Sequence, residues 1–317
     1  MFTPQRVRFI VALLIVPRSI SGADDKRTFS LADSVLLFGT YNELRVATDK
    51  DVVTLKPTVD LGCNHGYFTY PRLDPLGNLV AWGFAVESRK DKSPNSCRFS
   101  LGIYSIKERK WRTYGDFDDI GTPAFSPDGS KIAFATFEGR HEDLRLFDIS
   151  TETMTVTNVN AGGNQDRAGI TAKGGIGWSP DGKRLVVEFS GRGDRPPLIG
   201  VIDLLTGEVK SIAEGSHPSW SPTGEWIAYY GDFDKKCILV HPDGSGARIV
   251  SKVKNFFVYR GYSDAVVWSP DGKQLLLNAW RGESGTIEVM LLDLKTGRST
   301  KKQSDGLAAF GWAKWQG

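Results

Sequence analysis

The sequence contains few of the residues on which most catalytic and metal-binding sites depend. Its 317 residues include only four histidines and three cysteines. No histidine stands in the His-Glu-x-x-His spacing of zinc peptidases, and the Gly-x-Ser-x-Gly elbow of hydrolases does not occur. The glycine-rich stretch at 161–165 lacks the Lys-Ser/Thr pair of a phosphate-binding loop. The sequence therefore predicts no catalytic residue, metal or cofactor, and it favours a non-catalytic role while leaving enzymatic activity open.

Long apolar runs are also missing. The run at 9–16 follows Arg6 and Arg8 and is far shorter than the roughly 20 residues that span a bilayer. Small residues at 21–23 then precede Asp24, so we expect a secretory signal peptide at 1–23, cut after Ala23, and an N-terminal extension at 24–33. The alternatives are an uncleaved anchor and a frayed N-terminal segment.

The charge balance excludes two classes of partner. The chain has 40 Lys and Arg against 37 Asp and Glu, and removal of residues 1–23 would take away three arginines and no acid, leaving 37 of each sign. Such a chain has no built-in attraction for nucleic acid or anionic lipid. We therefore expect a periplasmic or secreted monomer with no nucleic-acid partner and no membrane span in the mature chain.

A repeated turn is the most informative feature that is present. The pattern aromatic-Ser-Pro-Asp-Gly occurs cleanly from Phe125, Trp178 and Trp268, with near copies from Trp220 and Leu73. The five prolines are at positions 75, 127, 180, 222 and 270, so the steps are 52, 53, 42 and 48 residues. A repeat of this length is one supersecondary unit that must stack on copies of itself to bury its faces.

The residues around each turn identify the unit as a four-stranded sheet. Proline presets φ at the first central position, Asp and Gly suit the bend, and a short apolar run rich in β-formers follows, for instance at 132–135 and 185–188. A third strand leads to a second turn, and a more polar fourth strand closes the unit, as at 154–159 and 209–213. Four antiparallel strands in about 40 to 50 residues form a propeller blade.

The two ends of the repeat region complement each other. Residues 68–301 hold five complete units, residues 308–312 match only a first strand, and residues 35–39, 44–48 and 52–55 read as three strands without a first one. A sixth blade built from both would close the ring and remove open sheet edges. We therefore predict an all-β fold, a six-bladed β-propeller forming one domain at 34–317.

The repeated turn resembles the WD40-like repeat of the TolB propeller, which is shared with the N-terminal propellers of prolyl oligopeptidase-type peptidases. The resemblance covers about residues 34–312. It implies the propeller fold and a protein or peptide partner, expected to be an envelope component. The small α/β domain of TolB and the hydrolase domain of the peptidases have no room in this chain. One fold hosts many roles, so neither activity is carried over.

The cysteines fall into two groups. Cys63 and Cys97 precede the first and third strands of the first complete blade, so both lie on the same face of the ring. They are either a disulfide or two free thiols. Cys237 lies in an apolar third strand, and we expect an inert core thiol.

Binding residues are expected on the face of the ring opposite the Ser-Pro-Asp-Gly turns, here called the loop face. The connections before each first and third strand lie there, and they collect charged and aromatic side chains of the kind that dominate interfaces. The candidates are Arg140, His141, Arg167, Arg192, Arg195, Asp232, Tyr259, Arg260, Tyr262 and Arg281. For any single residue the alternative is a solvated loop.

Two functions remain open at this stage. The first is a non-catalytic module that binds a protein or peptide through the loop face. The second is a glycan-binding or carbohydrate-active propeller, a lyase or hydrolase with a site at the axial mouth. The second would need a converging acid and base. The sequence offers two combinations, His141 with Glu142 and Arg140, or His217 with Asp232 and Arg281.

Overall fold

A computed structural model of the protein describes residues 34–39, 44–47, 52–55, 71–86, 98–138, 141–157, 175–189, 196–231, 236–252, 266–281, 286–302 and 308–314. These residues form strands and turns, and no helix occurs among them. The first strands along the chain are β1 (Ser34–Gly39), β2 (Leu44–Ala47) and β3 (Val52–Leu55).

The following strands make up four complete antiparallel sheets. Blade one is β4 (Arg72–Leu73), β5 (Leu79–Val86), β6 (Arg98–Ser105) and β7 (Lys110–Phe117). Blade two is β8 (Asp119–Ile120), β9 (Ala124–Phe125), β10 (Lys131–Glu138), β11 (His141–Asp148) and β12 (Thr153–Val156). Blade three is β13 (Ile176–Trp178), β14 (Arg184–Phe189), β15 (Leu198–Asp203) and β16 (Val209–Glu214). Blade four is β17 (Ser216–Trp220), β18 (Ile227–Tyr230), β19 (Lys236–Val240) and β20 (Arg248–Lys252).

The last strands form the fifth sheet and contribute one strand to the sixth. Blade five is β21 (Val267–Trp268), β22 (Gln274–Arg281), β23 (Thr286–Asp293) and β24 (Ser299–Lys302). Blade six joins β25 (Ala308–Lys314) to β1, β2 and β3, in that order across the sheet. In this sheet Ser34 pairs with Lys314 and Leu36 with Trp312. The predicted six-bladed propeller of antiparallel sheets is confirmed.

Blade two departs from the simple four-strand pattern. Its first strand is divided into β8 and β9, which both pair with β10, at Thr136 and at Ile132 respectively. Residues 121–123, Gly-Thr-Pro, separate the two pieces, and proline cannot donate a ladder hydrogen bond. The interruption therefore follows from the local sequence.

The repeated tetrapeptide closes the hairpin between first and second strands, as predicted. In blade two the Gly129 amide donates to the Ser126 carbonyl at 2.9 Å, and the Lys131 amide donates to the Ser126 hydroxyl at 2.9 Å. That hydroxyl in turn donates to the Asp128 carboxylate at 2.6 Å. Gly129 has a φ of 71°, which glycine adopts without steric cost. The motif therefore satisfies its own main chain within a single turn, and its aspartate is a structural group.

The apolar core lies between neighbouring blades rather than inside one sheet. Between blades two and three, for example, Ala133 and Leu144 pack against Trp178 and Leu185, and all four are buried. Comparable layers fill the interfaces from blade one to blade six in the chain direction. Each fully buried aliphatic or aromatic side chain contributes about 1.5–3 kcal/mol of hydrophobic free energy. The blades are therefore held together by apolar side chains that a single blade could not bury by itself.

Candidate functional site

The six first strands line an axial cavity. Every first strand lies at the edge of its sheet, so one of its hydrogen-bonding edges has no partner strand. The cavity between these strands has a volume of about 490 Å³. Its lining includes the prolines of five turns, at positions 75, 127, 180, 222 and 270. It therefore reaches the face that carries the Ser-Pro-Asp-Gly turns, here called the turn face.

The described wall of this cavity contains aromatic, aliphatic, proline, serine and main-chain groups with two ionisable side chains, Arg72 and His217. Arg72 immediately precedes the aromatic or leucine position of the repeat. The five other blades place uncharged residues there, namely Ala124, Gly177, Ser219, Val267 and Gly311. Arg72 is half-buried, and one of its terminal nitrogens donates to the Pro71 carbonyl at 3.2 Å. No carboxylate belongs to the described part of the wall.

His217 occupies an irregular position in the wall. The pairing of β17 with β18 shifts register between Ser216 and Ser219, which is a β-bulge, and His217 has a φ of 56°. A positive φ is uncommon for a residue other than glycine, although histidine is among the residues that tolerate it best. Gly175, directly before the neighbouring first strand β13, packs against the His217 main chain, and a Cβ at position 175 would lie 3.2 Å from the His217 Cα. The bulge is therefore fixed by close backbone contact.

Two tryptophans of the repeated motif tie first strands of neighbouring blades together. The Trp178 indole Nε1 donates to the Ala124 carbonyl of blade two at 2.9 Å. The Trp268 indole Nε1 donates to the Ser219 carbonyl of blade four at 3.1 Å. The rings are nearly buried, as expected for aromatic residues that fill the gaps between sheets. They also satisfy edge carbonyls that have no partner strand.

Two polar residues on second strands form the complementary ties in the other direction. The Asn278 side chain bonds both main-chain groups of Ala309 in blade six, at 2.9 Å and 2.8 Å. The Glu188 carboxylate accepts from the His217 amide of blade four at 2.8 Å. Asn278 and Glu188 are buried. Each described interface from blade two to blade six thus contains at least one side-chain hydrogen bond to a first strand, and the interface between blades five and six contains two.

Sequence reasoning did not single out Arg72, Glu188 or Asn278 for these roles. A signal was present, because Glu188 and Asn278 each stand six residues after the glycine of a turn, inside an apolar run. The other blades have Gly83, Ala135 and Tyr230 at this position. A polar residue at a buried position of a repeat needs a partner, and the neighbouring first strand supplies it.

Most of the residues predicted for the loop face lie outside the described residues. This holds for Cys63, Cys97, Arg140, Arg167, Arg192, Arg195, Asp232, Tyr259, Arg260 and Tyr262. The backbone of His141 is at the start of β11 and that of Arg281 at the end of β22, which are both loop-face ends of strands. They belong to blades two and five, which have two blades between them in either direction, so the fold does not bring them together.

Glu142 is the one described loop-face residue with an unusual environment. Its side chain is half-buried, and its Oε2 atom has no hydrogen-bond partner. Burial raises the pKa of the Glu142 carboxyl to about 7. The proposed pairing of Glu142 with His141 is not tested by the described side chains.

Two further ionisable groups, Cys237 and His241, have structural surroundings. Cys237 lies on β19 and is buried, as predicted, and burial raises the pKa of its thiol to about 12. The His241 ring stacks on Trp226 with a centroid separation of 3.9 Å, and its Nδ1 lies 3.0 Å from the Glu225 carbonyl oxygen.

The described ranges contain neither a metal-ligand cluster nor a helix that could span a membrane. No group of three or more His, Cys, Asp and Glu side chains is arranged as metal ligands would be in this part of the chain. The same residues contain no helix of sufficient length and hydrophobicity to span a bilayer.

Comparison with known proteins relates the repeats to a family and the ring to solved structures. The family model described as the TolB beta propeller domain matches residues 117–307. TolB from Acinetobacter baumannii superposes with a TM-score of 0.64 at 16% identity, over 88% of this chain and 66% of that chain. A chain of a nidogen/laminin complex gives 0.60 at 13% identity, over 88% and 97%. An oligogalacturonate lyase in complex with manganese gives 0.50 at 17% identity, over 86% and 74%. At these identities the likeness shows the fold alone.

Proposed function

Because the chain belongs to the TolB beta propeller domain family, we propose that it is a binding module that holds a protein or peptide partner at its axial channel. The observation that carries the proposal is the cavity of about 490 Å³ that reaches the turn face. Concave sites of this size with mostly apolar walls and a few polar groups are the usual places for ligands. We propose a non-catalytic role, in keeping with the scarcity of catalytic motifs in the sequence.

The wall suits a polypeptide segment for two reasons. First, prolines and aromatic rings line the cavity, and these present flat apolar surfaces to an extended chain. Second, first-strand edges face the axis, and their main-chain groups can bond to a peptide backbone where side chains of neighbouring blades do not occupy them. The ties at Ala124, His217 and Ala309 use some of these groups, so the wall is rigid before a partner arrives.

The loop face is the second surface in this proposal. We assign its contact to Tyr259, Arg260 and Tyr262 first, because aromatic residues and arginine carry most of the energy of protein interfaces. The remaining candidates surround the ring on the same face: Arg140, His141, Arg167, Arg192, Arg195, Asp232 and Arg281. The compartment we propose is the periplasm or the secreted medium, on the strength of the basic and apolar N-terminal pattern at 6–16.

Site-specific photo-crosslinking tests where a partner binds. A photoreactive amino acid would replace Pro222, which is exposed at the channel mouth, or Leu205, which is 94% exposed on the outer part of the same face. The protein would be exposed to light in an envelope extract, and crosslinked species would be identified by mass spectrometry. The captured protein would then be purified and its affinity measured by calorimetry with wild type and with the Tyr259→Ala, Arg260→Ala, Tyr262→Ala triple variant.

The proposal expects a partner crosslinked through position 222 and not through position 205. Loss of affinity in the triple variant would show that the loop face also contacts the partner. Unchanged affinity would show that the partner does not depend on these three side chains. A partner crosslinked only through position 205 would contradict the axial placement. If no protein is captured and a saccharide binds instead, the glycan-binding alternative replaces the proposed function.

A further inference from the structure

The fourth strand of each blade lies at the outer edge of its sheet, and five of these six edges carry a feature that discourages pairing with another chain. An unpaired edge presents main-chain donors and acceptors, and proteins protect such edges with charges, prolines or bulges. A register shift interrupts the pairing of β7, β16 and β20 with their third strands, and each of these strands also contains charged residues. The strand β24 contains Lys301 and Lys302, and Lys56 and Pro57 follow β3 directly.

The outer strand of blade two, β12, has none of these features in its described residues. Its ladder with β11 runs from Asp148 and Thr153 to Arg145 and Val156 without a register shift. The sequence 153–165 contains no charged residue and no proline. Val156 is 51% exposed and adds an apolar side chain to the edge. Within the described part of the chain, no strand pairs with β12 on the side away from β11.

The ladder with β11 determines which main-chain groups of β12 point outwards. The Thr157 amide donates to the Leu144 carbonyl at 2.8 Å, so these two residues form a hydrogen-bonded pair. Hydrogen-bonded and non-hydrogen-bonded pairs alternate along an antiparallel ladder. The N–H and C=O groups of Met154 and Val156 therefore point away from the sheet. The edge offers these four main-chain groups at the spacing of an extended strand.

The side chains of this edge are complementary to those of a second copy of the same edge. The sequence 153–157 is Thr-Met-Thr-Val-Thr, with one apolar residue on either side of the central Thr155. When two copies pair antiparallel around a two-fold axis at Thr155, each threonine faces a threonine and Met154 faces Val156. Thr–Thr and apolar cross-strand pairs stabilise a sheet. No residue of this segment is charged, so the pairing brings no like charges together.

From this self-complementarity we propose that the outer edge of β12 pairs with the same edge of a second copy of the chain, which gives a symmetric dimer in place of the expected monomer. The outward groups of Met154 and Val156 form the main-chain hydrogen bonds across the axis, and Thr155 faces its counterpart. The two sheets then continue into one. The dimer does not depend on the proposed function, because β12 is at the outer edge of blade two and the axial cavity is at the inner edge.

The interface is small, so the association is weak and depends on concentration. It includes about five residues of each copy, far fewer than the roughly 20–30 residues per partner of a standard stable interface. A strand of another protein could use the same main-chain groups. A second copy is favoured because it supplies the matching alternation of threonine and apolar residues in the opposite direction.

Sedimentation velocity of the purified protein over a wide range of concentrations tests the dimer. Thr155→Lys and Thr155→Glu each place like charges opposite each other at the two-fold axis, and Thr155 is exposed, so the fold should tolerate both. An equal mixture of the two variants places a lysine opposite a glutamate. The matched control is Thr54→Lys, the same substitution at an exposed threonine on the outer strand of blade six. Circular dichroism of each variant confirms that the fold is intact.

Wild type and Thr54→Lys should pass from monomer to dimer as the concentration rises towards the millimolar range. Thr155→Lys or Thr155→Glu alone should raise the dissociation constant about 10-fold or more, because like charges directly opposite each other destabilise a strand pair. The equal mixture should bring it back to within about threefold of wild type, because opposite charges at this pair are favourable. This recovery requires residue 155 to face residue 155, which a general loss of stability would not produce.

A photoreactive amino acid at position 155 identifies what occupies the edge. Irradiation of the purified protein, and of the protein in an envelope extract, should crosslink two copies of the chain. Crosslinking only to a different protein in the extract would contradict the second copy and assign the edge to a strand of that protein. The proposal would also be overturned by a wild type that stays monomeric at every concentration, by a dimer that ignores Thr155→Lys, or by a mixture that does not recover.

Discussion

The Asn278 side-chain amide bonds both main-chain groups of Ala309, donating to the carbonyl oxygen at 2.9 Å and accepting from the amide nitrogen at 2.8 Å. Asn278 is on the second strand of blade five, and Ala309 is on the first strand of blade six. Both residues are fully buried. A single side chain therefore does for this edge what a neighbouring strand does elsewhere in a sheet.

Removal of this amide should destabilise the ring strongly. Asn278→Ala leaves a buried N–H and a buried C=O of Ala309 without partners, at a cost of about 2–4 kcal/mol in the free energy of unfolding. Denaturant unfolding monitored by circular dichroism measures the change. Asn78→Ala is the control, because Asn78 is exposed and its side chain should contribute less than about 0.5 kcal/mol. Equal stabilities of the two variants would show that the double hydrogen bond is not required.

Substitution of Gly182 measures the backbone strain that a non-glycine residue would cause at the positive φ of the repeated turn. It has a φ of 68°, and a Cβ built on it would have no atom within 4 Å. Gly182→Ala should therefore cost about 1–2 kcal/mol through backbone strain alone, without a steric clash. Gly182→Asn should cost less, because asparagine tolerates the left-handed region better. The two unfolding midpoints, compared in one denaturant series, give the order, and the reverse order would contradict the interpretation.

Glu142 should make stability depend on pH. Its folded pKa of about 7 lies above the ordinary value of 4.5, so the folded state disfavours the charged form. The unfolded chain loses its proton first as pH rises, and the native state is penalised increasingly between about pH 4.5 and 7. Glu142→Gln removes the penalty, so it should be near neutral at pH 4.5 and stabilising by about 1 kcal/mol at pH 8, after allowance for partial exposure.

Unfolding of wild type and Glu142→Gln at both pH values measures this difference. Glu208→Gln, at an exposed position directly before β16, is the matched control for replacement of a glutamate by glutamine on the surface. A Glu142→Gln effect that stays constant between the two pH values would show that the carboxyl is not perturbed in solution.

The three cysteines should differ in reactivity. The buried Cys237 thiol, with a pKa of about 12, should resist N-ethylmaleimide at pH 8 in the folded protein and react promptly in guanidinium chloride. Intact mass before and after reduction then reports on Cys63 and Cys97, since a disulfide makes the protein lighter by two hydrogens. Labelling of Cys237 under native conditions would show that β19 opens far more readily than its burial implies.

The fold could be predicted from sequence because its determinants are local and repeated. Ser179, Pro180 and Asp181 specify a turn within a few residues, and the apolar run that follows specifies a strand. Five copies in phase then define the length of one blade and, with the two chain ends, the number of blades in the ring. The packing of Trp178 and Trp268 between blades could also be predicted, because large aromatic side chains at a repeated position fill the gaps between neighbouring sheets.

The site was harder to predict from the sequence because it depends on contacts between different repeats. Glu188 meets His217 29 residues later, and Asn278 meets Ala309 31 residues later, with different chemistry in each case. Arg72 acquires its environment only when six first strands enclose an axis. The loop-face residues were chosen for their composition, and that assignment stays a prediction.

The direction of the ties between blades limits how such a ring can change in evolution. The indole of Trp178 needs the carbonyl of the preceding blade, and the amide of Asn278 needs the first strand of the following one. Both kinds of tie join a first strand to the blade beside it, so loss of half a repeat would leave buried groups unmatched on both sides of the cut. A change by complete repeats keeps first and second strands in alternation around the ring, which is the arrangement that these ties require.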